Sequence, residues 1–207
     1  MGIRILLVDD HAIVREGYRR LLERTQDICV VGEAGDGEAA CDMFVMYEPD
    51  VVVMDICLPG ISGVEATRRM VAHDASAKVL IFSMHDGALF GTRAIQAGAR
   101  GYITKSSAPT VLVDAVRVLS SGDHYLGSDI AHSMVVQTMP GRNPPLSTLT
   151  PREFEVMRLL GEGASTQEIA RALNVHEKTI SNYRMSIRQK LEREEIRPVD
   201  LPAPHLP

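Results

Sequence analysis

Five side chains in the first half of this sequence could do chemistry together. They are the tandem acids Asp9-Asp10, a third acid at Asp55, a hydroxyl at Ser83 and an amine at Lys105. Carboxylates about 4 Å apart repel by about 4 kcal/mol per pair at an effective dielectric near 20. A divalent cation relieves that repulsion, and an all-oxygen ligand set favours Mg²⁺. With one metal and one lysine, such a site neutralises an incoming phosphoryl group. Asp55 is then a carboxylate nucleophile able to form an aspartyl phosphate. Mg²⁺ and Lys105 would stabilise charge on the transferring oxygens, and Ser83 would donate a hydrogen bond to one of them. All of this requires residues far apart in the chain to converge.

The elements that must position them are read from apolar spacing. Val51-Val52-Val53, between Asp50 and Asp55, is a short strand buried on both faces, able to present a carboxylate only where it emerges from the sheet. Ile56 to Gly60 follows as a loop with a Pro-Gly stop. Further strands are predicted over 4–8, 28–31, 78–82 and 101–103, and helices over 11–24, 37–47, 63–72, 88–97 and 109–122. The fold class is α/β: five strands alternating with helices give a flavodoxin-like, doubly wound parallel sheet. Ligands in such sheets sit beyond the carboxyl ends of the strands, at a switch point in their order. The first strand ends in Asp9-Asp10, the third in Asp55, the fourth in Ser83 and the fifth at Lys105. One polar strand end is commonplace, as a cap or a surface residue. Four on one edge of a sheet make a pocket. No G-x-G-x-x-G follows the first strand, which argues against a dinucleotide site.

Composition narrows the classes further. The 207 residues fit one to two domains. No run of roughly 18 apolar residues could span a membrane, and Asp9-Asp10 interrupt the N-terminal apolar run before it could serve as a signal peptide. Cys29, Cys41 and Cys57 have neither metal nor C-x-x-C spacing and read as free thiols in a reducing compartment. A cytoplasmic location is expected. The net charge of −5 is uneven: from Arg142 onwards ten Lys/Arg face nine Asp/Glu, against twelve and eighteen before it. Within the second part, Lys178, Arg184, Arg188 and Lys190 form a basic stripe with no acid among them until Glu192.

A second domain is predicted around that stripe. Residues 125–139 read as a short helix, and the Pro140 to Pro145 stretch as an interdomain linker. Thr150-Pro151-Arg152-Glu153 is a helix start with a capping box, and Ser165-Thr166-Gln167-Glu168 is another. A third helix runs from about 177 to 191, apolar at Ile180, Tyr183, Ile187 and Leu191 and basic on its other face. Two short helices joined by a tight turn, the second basic outside, make a helix-turn-helix. Its second helix would enter the major groove. A solvated amphipathic helix in a small bundle has the same pattern.

Both halves carry motifs of a known family. Leu6-Leu7-Val8-Asp9-Asp10-His11, Met54-Asp55-Ile56-Cys57-Leu58-Pro59-Gly60, Ser83 and Lys105 resemble a response-regulator receiver domain over residues 3 to about 122. The resemblance implies that Asp55 is the phosphoacceptor. It implies that Asp10, Asp55 and the Cys57 carbonyl hold Mg²⁺, with Asp9 helping through water, and that Ser83 and Tyr102 are a switch pair whose aromatic ring turns inward. Leu149-Thr150-Pro151-Arg152-Glu153, Gln167-Glu168-Ile169-Ala170, Lys178-Thr179-Ile180 and Ile187-Arg188-Gln189-Lys190-Leu191 resemble the DNA-binding domain of NarL/FixJ/LuxR-type regulators. By that likeness Lys178, Ser181, Asn182 and Met185 face the groove, and Arg184, Arg188 and Lys190 face the DNA backbone. His176 stands where the family usually places a Ser or Thr cap.

The expected organisation is a receiver over 1–122, a linker with a short helix over 123–147, a small all-α helix-turn-helix domain over 148–192 and a proline-rich tail over 193–207. Pro198, Pro202, Pro204 and Pro207 exclude the family's fourth helix, which ordinarily pairs two output domains. Any dimer would then rest on the receiver. The family resemblance implies a cytoplasmic two-component regulator of transcription whose partners are a histidine kinase and promoter DNA. It is no turnover enzyme, although it slowly removes its own phosphoryl group. The missing helix motivates one alternative, an output domain that acts on a protein rather than on DNA.

Overall fold

Every residue of the valine strand is buried, as a continuous apolar run demands of a strand covered on both faces. The computed structural model describes residues 2–137, 149–161, 163–173 and 175–193. Among these, the strands are β1 (Ile3–Val8), β2 (Ile28–Ala34), β3 (Val51–Met54), β4 (Val79–Ser83), β5 (Gly101–Thr104) and β6 (Tyr125–Leu126). They form one parallel sheet in the order β2-β1-β3-β4-β5-β6. The chain moves outward from β1 to β2, then returns past β1 to β3. The order therefore reverses between β1 and β3, and this opens a crevice at their carboxyl ends.

The first unit also holds α1 (Ala12–Glu23), α2 (Gly37–Tyr47), α3 (Gly63–His73), α4 (Ala88–Gln96), α5 (Pro109–Ser120) and α6 (Ser128–Gln137). Strand side chains alternate between two cores, as a period of two requires. Leu6, Val8, Val52, Met54 and Ile81 pack with Phe44, Met70 and Ala94 on the face covered by α2, α3 and α4. Ile5, Leu7, Val51, Val53, Leu80 and Phe82 pack on the other face with Leu22 of α1 and Leu112, Val116 and Leu119 of α5.

The sheet has a strand more than the five expected. Tyr125–Leu126 pairs parallel with Gly101 and Tyr102. Two residues are too short to show a period of two. The helix that follows, α6, joins the receiver core: Ile130 is fully buried in the α2–α4 face and Met134 packs beside it. Gly91 of α4 makes room for them. A Cβ there would lie 2.8 Å from Ile130 Cγ2 and 3.1 Å from Met134 Sδ. Residues 125–137, expected in the linker, thus belong to the first compact unit, Met1–Met139. The proline-rich part of the expected linker lies outside the described residues.

In the second unit, Pro140–Pro207, the helices are α7 (Pro151–Gly161), α8 (Thr166–Ala172) and α9 (Glu177–Arg193). Both capping boxes form. Glu153 N–H donates to Thr150 Oγ1 while Thr150 N–H donates to Glu153 Oε2, and Ser165 and Glu168 exchange the same pair of bonds. Leu149, Phe154, Val156, Ile169, Leu173, Ile180 and Ile187 are buried. The absence of a fourth helix concerns residues 194–207, outside the described residues. No helix among the described residues is long and apolar enough to cross a membrane.

Candidate functional site

Lys105 sits between two buried carboxylates. Its Nζ lies 2.6 Å from Asp9 Oδ2 and 2.5 Å from Asp55 Oδ2. Each partner is delivered by a strand end. Asp55 N–H donates to Val8 O, Asp9 N–H to Ala34 O and Lys105 N–H to Ser83 O, so the backbone hydrogen bonding of the sheet carries one residue past each strand. Gly63 completes the Asp55 loop. Its N–H donates to Ile56 O, and a Cβ at this position would lie 1.8 Å from the Asp55 carbonyl oxygen. Asp55 Oδ1 accepts the Cys57 N–H at 3.3 Å.

Burial raises the pKa of Asp55, and the Lys105 charge opposes the rise. Burial disfavours the Lys105 charge, but Asp55 and Asp9 outweigh it and hold the amine above its ordinary pKa. Lys105 is therefore a fixed positive charge at the strand ends.

Asp10 is placed differently. It is exposed, and its Oδ1 lies 2.7 Å from His11 Nδ1. The ligand atoms of Asp9, Asp10 and His11 all lie within 4.8 Å of one another. Asp55 joins this group through Lys105. The available donors, the Asp9, Asp10 and Asp55 carboxylates and the Cys57 carbonyl, suit a hard cation such as Mg²⁺. Residue type alone does not mark His11 as a pocket residue. Its one signal is that it directly follows the paired acids.

Ser83 and Tyr102 are both fully buried, and His85 contacts both. His85 N–H donates to Ser83 Oγ at 3.3 Å, and Tyr102 OH donates to His85 O at 2.7 Å. The Tyr102 ring lies inside the unit, and burial raises its phenol pKa. The His85 imidazole stacks on Phe90 with centroids 4.3 Å apart, and its Nε2 is 3.3 Å from Cys57 Sγ. His85 carries no signal in the sequence either, since its contacts to Ser83 and Tyr102 use backbone atoms that no residue type reveals.

In the second unit, α9 exposes Lys178, Ser181, Asn182, Arg184, Met185 and Arg188. Met185 is 59% exposed, an apolar side chain left in water on the face expected to meet bases. Arg184 Nη1 donates to Thr166 Oγ1 at the start of α8, and Ser181 Oγ donates to Glu177 O. Gln167, Arg171, His176 and Lys178 line a groove at the turn between α8 and α9. Lys190, expected at the DNA backbone, points its ammonium at Glu153 Oε2, 2.6 Å away. Glu153 also accepts from Ser186 Oγ and Thr150 N–H. Burial opposes its charge, but Lys190, Ser186 and Thr150 hold its pKa down at about 2.

Comparison with known proteins agrees with both units. The model of the response regulator receiver domain matches residues 5–117, and that of the luxR family of bacterial regulatory proteins matches residues 147–197. The chain is 40% identical over 191 residues to the response regulator UvrY of Escherichia coli strain K12, covering 91% of this chain and 88% of that protein. The structure of a LuxR-family two-component response regulator from Aurantimonas sp. SI85-9A1 superposes with a TM-score of 0.65 at 47% identity, over 66% of this chain and 98% of that one. The RcsB response regulator of Salmonella typhimurium superposes with a TM-score of 0.62 at 28% identity, over 92% of this chain and 93% of that one. RcsB has also been solved as two dimers bound to two parallel DNAs.

Proposed function

The chain belongs to the response regulators that join a receiver to a luxR-family output domain, and we propose that Asp55 is its phosphoacceptor and promoter DNA its target. The observation that carries the first part is the bridging of two buried strand-end carboxylates by Lys105. The phosphodonor is the phosphohistidine of a partner kinase or a small acyl phosphate. An Asp55 carboxylate oxygen attacks phosphorus as the bond from phosphorus to the donor breaks; the donor leaves with the electron pair, as an imidazole that takes up a proton or as a carboxylate anion. Lys105 shifts from the Asp55 oxygen to a phosphoryl oxygen, and the Ser83 hydroxyl donates to another. Asp9, Asp10, Asp55 and the Cys57 carbonyl would hold Mg²⁺, which when bound neutralises charge on the transferring group. Water later hydrolyses the acyl phosphate slowly, so the chain is a switch and not a turnover enzyme.

The second part follows from the exposed basic face of α9 and from the RcsB relative bound to DNA as dimers. Lys178, Ser181, Asn182 and Met185 meet the groove while Arg184 and Arg188 meet phosphates. Phosphorylation favours a homodimer through the receiver, which reads paired half-sites in the cytoplasm. The test has two arms. Asp55→Asn is expected to abolish labelling from acetyl phosphate with Mg²⁺, and full stoichiometric labelling of this variant would overturn the assignment. Selection of genomic DNA by the full chain is expected to enrich a paired motif only with Mg²⁺ and beryllofluoride, and no enrichment in either state would redirect the output to protein partners.

A further inference from the structure

We infer that Arg15, in the first turns of α1, is a positioning residue for the acidic pocket: it holds the Asp9 carbonyl, thereby aims Asp10, and so sets the affinity for the divalent cation. This rests on the reading of Asp55 as phosphoacceptor with Mg²⁺ beside it. Asp9 is fixed at every polar atom. Its N–H donates to Ala34 O at 3.1 Å, Oδ1 accepts the His11 N–H at 2.9 Å, and Oδ2 accepts Lys105 Nζ at 2.6 Å. The remaining atom, its carbonyl oxygen, lies beyond the last rung of the sheet and accepts Arg15 Nη1 at 2.5 Å.

Asp10 has no comparable anchor. Its side chain is 33% exposed, and His11, with which it pairs, is 69% exposed. What orients Asp10 is the peptide that joins it to Asp9, and the oxygen of that peptide is the one Arg15 holds. The guanidinium is itself secured. Arg15 Nε donates to Glu33 Oε2 at 3.0 Å, and Glu33 Oε1 accepts Arg19 Nη1 at 2.6 Å. Arg15 and Glu33 are only 19% and 25% exposed, so this chain of charge-assisted bonds from pocket to β2 is largely shielded from water. Glu33 also offsets the Arg15 charge, which would otherwise repel a cation in the pocket. Groups that orient metal ligands without touching the metal commonly change its affinity by about 10- to 100-fold.

The full chain is titrated with Mg²⁺ by calorimetry, and beryllofluoride uptake is followed by fluorine NMR. Arg15→Met keeps the bulk and removes the donors. It is expected to weaken Mg²⁺ binding on the order of tenfold, while uptake at saturating Mg²⁺ reaches the wild-type extent. A lowered unfolding temperature with unchanged Mg²⁺ affinity would make Arg15 a structural residue only and overturn the inference. Should Arg15→Met not fold, Glu33→Gln carries the test. It leaves the guanidinium but loosens it, so a loss of affinity smaller than that of Arg15→Met is expected, and no loss overturns the inference. The underlying reading is tested separately with Arg15 intact. It fails if the wild type shows no Mg²⁺-dependent beryllofluoride uptake, or if Asp55→Asn retains that uptake.

Discussion

Lys190 near the end of α9 and Glu153 in the first turn of α7 form an ion pair of 2.6 Å around a carboxylate that is almost wholly buried. The pair ties the helix expected to enter DNA to the helix that opens the output unit. Glu153 serves two purposes at once. It caps α7 by accepting Thr150 N–H, and it fixes α9 through Lys190 and Ser186.

The pH dependence of this unit follows from Glu153. Its pKa is lowered from 4.5 to about 2 in the folded state. A depressed carboxylate contributes stability that is present above its unfolded pKa and lost as pH falls through the folded one. The contribution is on the order of 3 kcal/mol at neutral pH and declines between about 4.5 and 2. Urea unfolding of the output transition in the full chain should show this acid loss, and Glu153→Gln should flatten the profile over that window. An unchanged profile in the variant would assign the acid loss to other carboxylates.

Removing the Lys105 charge leaves Asp9 and Asp55 facing each other in a buried site. Breaking a buried ion pair from one side costs about 3–5 kcal/mol. Lys105→Met should therefore lower the unfolding temperature of the receiver in EDTA. A bound divalent cation can replace part of the missing charge, so Mg²⁺ should raise the unfolding temperature of Lys105→Met more than that of the wild type. Equal Mg²⁺ shifts in the two proteins would show that the cation does not neutralise the same carboxylates.

The α6 helix makes a prediction about where the receiver ends as a folding unit. Ile130 is fully buried against the α2–α4 face, so Ile130→Ala should cost about 2–5 kcal/mol. A fragment ending at residue 122 should be less stable to urea than one ending at 139, because it uncovers the hollow at Gly91. Equal midpoints for the two fragments would make α6 a passenger on the receiver.

Legibility from sequence divides along physical lines. The Val51–Met54 strand and the acid at its end are readable because a continuous apolar run stopped by a charge fits a buried strand and little else. Strand β6 is not, since two residues carry no period. The residues Ile130 and Met134 that bury α6 are visible as apolar positions on a helix. Only the missing Cβ of Gly91, some forty positions earlier, gives them a place to dock. Thr150 and Glu153 can be read as a capping box because they stand three positions apart. The bond from Glu153 to Lys190 spans the whole unit, and a basic stripe read by itself assigns every lysine to solvent. His85 escapes for a different reason: its bonds to Ser83 and Tyr102 are made by its backbone.

The pairing of Lys190 separates two kinds of basic residue on α9. Lys178 is exposed at the start of the helix, beside the groove at the α8–α9 turn. As a groove contact it brings an unpaired positive charge to the DNA, so Lys178→Ala should weaken binding most at the sequences it reads and reduce the slope of log affinity against log salt by about 1. Lys190 is committed to Glu153 and makes its contribution inside the unit. Lys190→Ala should leave the salt slope close to the wild-type value while lowering the stability of the output unit, since the buried Glu153 loses its cation. Affinity and slope are measured by fluorescence anisotropy at several salt concentrations, alongside urea unfolding of each variant. If Lys190→Ala reduces the salt slope as much as Lys178→Ala and leaves stability unchanged, the ammonium leaves Glu153 on binding and belongs to the phosphate contacts.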